Sequence, residues 1–206
     1  MQGKDIPTSF YSLSKEILLL EKLSKQYGVP TIDREDGAVL SALAYYVGTL
    51  GGKIFVDAGA GIGYSTLWII QGVSNIEHGD KVYIYAVEKN PARYRILEDN
   101  IERIRKDILA EKTFIETKTI NGDAVEFLDK IEPSLDMVFV DIEKTQYQQV
   151  LGLLPRKLSK IGIGIFHNAL IPGLDSDTRK FLEQQEQLSY HVVPTHLGLL
   201  IVKRLY

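Results

Sequence analysis

The chain has 206 residues, 45% of them hydrophobic and 25% charged, with a formal net charge of -3 and no cysteine. That length suits a single folding unit, and the balance excludes a disordered or fibrous chain. The small negative charge gives no general attraction to polyanions, while the missing thiols exclude disulfides, thiolate metal sites and a cysteine nucleophile.

From Ser9 to Tyr27 apolar residues recur at helical spacing through Leu13, Ile17, Leu20 and Leu23, and Gly28-Val29-Pro30 supplies the stop. A second helix is expected from about Asp33 to Leu50, broken by Gly51-Gly52. Apolar runs such as Ile17 to Leu20 are too short to span a bilayer, and Met1 to Pro7 lacks the apolar stretch of a signal peptide. A cytoplasmic protein without a membrane partner is expected.

After Gly52 the pattern changes. Lys53–Ala58, Val82–Val87, Thr113–Ile120, Asp136–Val140 and Ile161–Phe166 read as buried strands separated by helical segments. Such alternation implies an α/β, Rossmann-like doubly wound sheet, mostly parallel, with ligands gathered at the carboxyl ends of its strands. Only Pro194-Thr195-His196 and its neighbours separate Tyr190–Val193 from Leu199–Val202, too little for a parallel crossover, so a terminal antiparallel hairpin is expected.

The strongest local signal is Phe55-Val56-Asp57-Ala58-Gly59-Ala60-Gly61-Ile62-Gly63-Tyr64-Ser65, a strand ending in an acid, then three alternate glycines and a helix. A dinucleotide fingerprint needs glycine where Tyr64 stands. S-adenosylmethionine (SAM) fits better, because Asp57 can attract its ammonium directly or through water, with Gly59, Gly61, Gly63 and Ser65 forming the loop beside it. Glu88 ends the second strand, where a carboxylate can accept both ribose hydroxyls. Asn121-Gly122-Asp123-Ala124 then places Asp123, with Ala124 beside it, where an acid can accept from an adenine amino group.

With these residues in this order the chain resembles the class I SAM-dependent methyltransferases. The stretch Asp136-Met137-Val138-Phe139-Val140-Asp141-Ile142-Glu143-Lys144-Thr145-Gln146-Tyr147 is similar to a segment of the cation-dependent catechol and caffeoyl-CoA O-methyltransferases. Asp141, Lys144 and Tyr147 stand at its matching positions. Glu35-Asp36-Gly37 and Leu197-Gly198-Leu199-Leu200 add to the resemblance, which spans nearly the whole chain. It implies a divalent cation, Mn, Fe or Mg, held by Asp141 and by the pair His167-Asn168, in which His167 replaces a carboxylate. An imidazole suits Mn or Fe better than Mg, so at His167 either the metal preference has changed or the metal is gone. Asp141 would also border the methyl donor, and Lys144 would take the acceptor's proton, neutralised by neighbouring positive charge.

The expected activity is methyl transfer from SAM to a small hydroxylated, catechol-like acceptor. A tRNA hydroxyuridine acceptor, or SAM binding without catalysis, stays open as an alternative, and a homodimer is expected. Residues 9–50 would cover the acceptor pocket. His78, His191 and His196 read as surface or structural residues, Trp68 as core, and Tyr45 and Tyr46 as core or pocket lining. The run Arg93, Arg95, Arg103, Arg105 and Lys106, interleaved with acids, reads as a solvated helix face.

Overall fold

A computed structural model describes residues 8–76, 80–132 and 134–205; His78 and Met1 to Pro7 lie outside them. Helix α1 (Thr8–Tyr27) buries Leu13, Ile17 and Leu20, the stripe expected from the spacing. It stops where Gly28 turns at φ +63 and Val29 N–H donates to the Ser24 carbonyl at 2.9 Å. Helix α2 (Arg34–Thr49) packs closely on α3 (Tyr64–Ser74). A Cβ at Gly37 would fall 2.3 Å from the Trp68 ring, so the absence of a side chain there sets the approach of the two helices.

Seven strands form one sheet: β1 (Ile54–Ala58), β2 (Val82–Glu88), β3 (Ile115–Asn121), β4 (Leu135–Val140), β5 (Leu158–Phe166), β6 (Leu188–Val193) and β7 (Leu199–Arg204). Their order is β3-β2-β1-β4-β5-β7-β6. The first five run parallel, and β7 is antiparallel to both β5 and β6. Helices α1 to α3 and α4 (Pro91–Asp107) build the core on one face. The core of the other face comes from α5 (Ala124–Lys130), α6 (Tyr147–Lys157) and α7 (Ser176–Gln184). From β1 the chain winds outward to β2 and β3, then returns to β4 on the other side of β1. That reversal opens a crevice at the carboxyl ends of β1 and β4.

Strand boundaries differ from the sequence reading by two or more residues at four strands, with β6 starting early at Leu188, β7 running on to Arg204, and β3 and β5 starting elsewhere. β3 begins at Ile115, because Ile115 N–H closes a turn onto the Lys112 carbonyl. β5 begins at Leu158, three residues early, and the cause is a buried acid. Asp136 accepts the Lys53 and Ile54 N–H groups at 2.7 and 3.0 Å and the Ser159 hydroxyl at 2.6 Å, tying the starts of β1 and β5 together. The basic face of α4 also departs from expectation: Arg103 pairs with Glu16 of α1 at 3.0 Å, and Arg93 reaches the crevice. Tyr45 and Tyr46 are exposed and line neither core nor crevice, whereas Trp68 is buried in the core. Among the described residues no helix is long and apolar enough to cross a membrane.

Candidate active site

The crevice is a cleft of about 440 Å³ lined by Gly59, Gly61, Glu88, Asp123, Ala124, Asp141, His167 and Asn168, with the α1–α2 connection (Val29, Pro30, Thr31) and Leu197 along it. Eight of the residues singled out in the sequence therefore meet in one place. Helix α1 itself does not line this cleft; the loop after it does.

At the β1 end the three glycines turn at φ +95, +56 and +99. Gly59 is held tightest, since a Cβ there would lie 2.2 Å from the Asp141 carbonyl oxygen. Asp57 is fully buried. Its Oδ2 accepts the hydroxyls of Ser65, at 2.7 Å, and Thr66, while Oδ1 has no partner. Burial raises its pKa to about 7 against the two hydroxyl bonds, helped by the charges of Asp141 and Glu88. Asp57 and Ser65 thus lie behind the glycine loop rather than among the cleft residues, and Gly63 serves as N-cap of α3.

Glu88 receives Gly61 N–H at 2.9 Å on Oε2 and Asn90 N–H at 2.8 Å on Oε1. A carboxylate oxygen has room for a second bond, so Glu88 can hold the glycine loop and still accept from a ligand. Asp123 caps α5 through Val125 and Glu126 N–H and receives the Gln146 amide at 3.0 Å. Burial works against its charge, yet these bonds keep its carboxyl below the usual range.

At the far end, Asp141 follows β4, and its N–H is anchored on the Ala58 carbonyl at 2.9 Å. His167 follows β5 and is 3% exposed. Its Nε2 lies 3.1 Å from Oδ2 of Asp36, on α2. Its Nδ1 lies 3.2 Å from Oδ1 of Asp141 but off the axis of a hydrogen bond, and is otherwise unpaired. Burial disfavours the imidazolium, but Asp141 and Asp36 together outweigh it and raise the ring's pKa. Asn168 turns at φ +58 beside it.

From the sequence, Lys144 is expected to take the acceptor's proton. It does not line the cleft, and Nζ donates to the carbonyls of Asn168 at 2.8 Å and Gly173 at 2.6 Å. Burial pushes its pKa down, while Asp175 and Asp141 oppose this. In this arrangement Lys144 pins the turn after β5. Tyr147 is likewise structural, donating to the His167 carbonyl at 3.0 Å. His196 is exposed, with Nδ1 3.2 Å from Asp33 Oδ2, and His191 is exposed on β6.

A family model for a methyltransferase domain matches residues 56–169. The chain belongs to the methyltransferase domain family. It is a class I SAM-dependent O-methyltransferase, the class to which its motifs, strand order and relatives point. A Mycobacterium tuberculosis protein named "Probable O-methyltransferase Rv1220c" is 24% identical over 216 residues, covering 94% of this chain and 87% of its own length. A Mycolicibacterium smegmatis relative with an equally provisional O-methyltransferase name is 27% identical over 182 residues, covering 82% and 80%. The Bacillus cereus O-methyltransferase solved with SAH shares the fold at a TM-score of 0.72 and 18% identity, over 98% of this chain and 92% of that one.

SAM brings a sulfonium methyl of high electrophilicity and an ammonium; the expected pull of Asp57 on that ammonium would act from behind the glycine loop, where its buried Oδ1 is unpaired. Two expected results follow for the methyltransferase. Glu88→Ala removes a charged acceptor worth about 1.5–3 kcal/mol per bond, so SAM affinity should fall at least about tenfold. Calorimetry on the folded variant checks this, and unchanged affinity would remove Glu88 from the ribose site. The second concerns pH. A carboxyl raised to about 7 in the fold contributes stability that is complete below its ordinary value of 3.8 and lost as pH rises through about 7. Its ionised form is the one that attracts an ammonium, so SAM affinity should rise as pH climbs through about 7, and Asp57→Asn should flatten that limb. A flat wild-type profile would contradict it.

Proposed function

We propose that the methyltransferase methylates a hydroxyl of a small, catechol-like acceptor held at the Asp141, His167 and Asn168 end of the cleft. The observation that carries this reading is the buried, unpaired Nδ1 of His167 beside the Asp141 carboxylate, with Nε2 already engaged by Asp36. An unpaired ring nitrogen beside one carboxylate, with the other nitrogen bonded to a second carboxylate, is the arrangement of a metal-ligating histidine.

The donor set fits a divalent cation. Among the described residues no three acidic, histidine or cysteine side chains gather to hold a metal; here Asp141 and His167 would do so with the amide of Asn168. Bound there, the ion would act as a Lewis acid and lower the pKa of the acceptor's hydroxyl. The chain's own residues supply orientation. Lys144 fixes Asn168 through its carbonyl, Asp141 and Gly59 join the acceptor end to the donor end, and the Val29-Pro30-Thr31 loop lines the cleft beside them.

One carboxylate, one imidazole and one amide favour Mn or Fe over Mg, which prefers all-oxygen sites. Calorimetry should show Mn binding more tightly than Mg, and His167→Asp should reverse the order. Chelator should slow turnover, and Mn should restore it more fully than Mg. A rate indifferent to chelator, together with no heat on adding Mn, would remove the cation from the reading.

A further inference from the structure

We propose that Asp36, on the second N-terminal helix, is a positioning residue that fixes the protonation pattern of His167, so that Nδ1 presents a bare lone pair beside the Asp141 carboxylate. This role rests on the reading of the acceptor end given above. It concerns which nitrogen carries the proton, whether that lone pair then meets a cation or the acceptor's own proton.

Asp36 is 1% exposed, and a carboxylate removed from water to that degree persists only where donors replace its hydration. Three features supply them. Asp36 is the third residue of α2, within the first turn, where the helix dipole favours an anion. Its Oδ1 faces the hydroxyl of Thr195, in the turn between β6 and β7. That hydroxyl oxygen itself receives Gly198 N–H at 3.2 Å, which leaves its hydrogen free for Asp36. The remaining partner is His167 Nε2, 3.1 Å from Oδ2.

An ionised carboxylate only accepts. The contact with Nε2 therefore requires a hydrogen on that nitrogen, and in the neutral ring Nδ1 is then the bare one. The opposite tautomer would face two acceptors from Nε2 and Asp36, and would aim an Nδ1 hydrogen off the axis to Asp141. The network is assembled from three distant places in the chain, with Asp36 separated from His167 by 131 positions and from Thr195 by 159. Helix α2 thereby sets the chemistry of the cleft's acceptor end without lining it.

The test is the ring protonation of His167 in the full chain carrying nitrogen-labelled histidine. There are four histidines, so His167→Gln identifies the signals. In buffer raised in pH until the ring has lost its charge, the wild type should show Nε2 protonated and Nδ1 bare. Asp36→Asn, whose amide can donate to Nε2, should shift the proton to Nδ1 or mix the two forms. With it kcat should fall about tenfold or more while the KM for SAM stays within about twofold. Thr195→Val, which removes only the support of Asp36, should move both readouts the same way by less. A wild type protonated on Nδ1 or on both nitrogens overturns the proposal, as does Asp36→Asn with wild-type ring signals and kcat. Should Asp36→Asn fail to fold, the wild-type spectrum and Thr195→Val decide. Absence of turnover on every acceptor would count against the functional reading alone, because the ring spectrum needs neither metal nor acceptor.

Discussion

Asp141→Ala should lower methyl transfer by about 10²-fold or more, in the range that follows loss of a charged group acting on the reacting centre. Asp141 joins the two halves of the cleft: its carbonyl packs against Gly59, and its carboxylate stands beside His167. The substitution leaves the backbone contacts intact, including the N–H bond to Ala58. The side chain is 32% exposed and carries little of the core, so the melting temperature should move by no more than about 2 °C. Transfer of labelled methyl from SAM, paired with a thermal melt, separates the two effects. A folded variant with wild-type kcat would take Asp141 out of the reaction.

Gly59→Ala should be one of the most damaging single methyl additions among the described residues. The residue turns at φ +95, and the new Cβ would meet the Asp141 carbonyl at 2.2 Å. Left-handed backbone alone costs about 1–2 kcal/mol for a residue with a Cβ. The clash adds to it, because the obstacle is backbone at the end of β4 and can yield only by parting β4 from β1. A total of about 3 kcal/mol corresponds to a fall of roughly 6–12 °C in melting temperature for a domain of this size. Relief by local shift would displace Asp141, so SAM affinity should drop even where the fold survives. A variant with unchanged melting and SAM affinity would show that the loop has slack the geometry denies.

Much of this was legible in the sequence because the relevant patterns are local. Parallel strands buried on both faces are written as short apolar runs, and the acid and glycines after β1 mark one turn. The terminal hairpin followed from the shortness of the chain between β6 and β7. What escaped was decided by contacts between distant residues. Asp36 stood in a motif that marked resemblance, but nothing near it in sequence names His167 as its partner. Lys144 has the right spacing from Asp141 to act on an acceptor, and only the fold brings the Asn168 and Gly173 carbonyls to its ammonium. Tyr45 and Tyr46 satisfy the helical pattern of a core yet fall on the outer side of α2. Arg103 reads as one more surface charge until α1 brings Glu16 to it.

The most direct measurement is transfer of labelled methyl from SAM to a panel of phenols, catechols, carboxylic acids and tRNA, with and without Mn, and with the products identified by mass spectrometry. The expected product is a methyl ether on a small hydroxylated acceptor, formed faster with Mn than with Mg and lost in Asp141→Ala. Label appearing in tRNA alone, or tight SAM binding with no product on any acceptor, would contradict it.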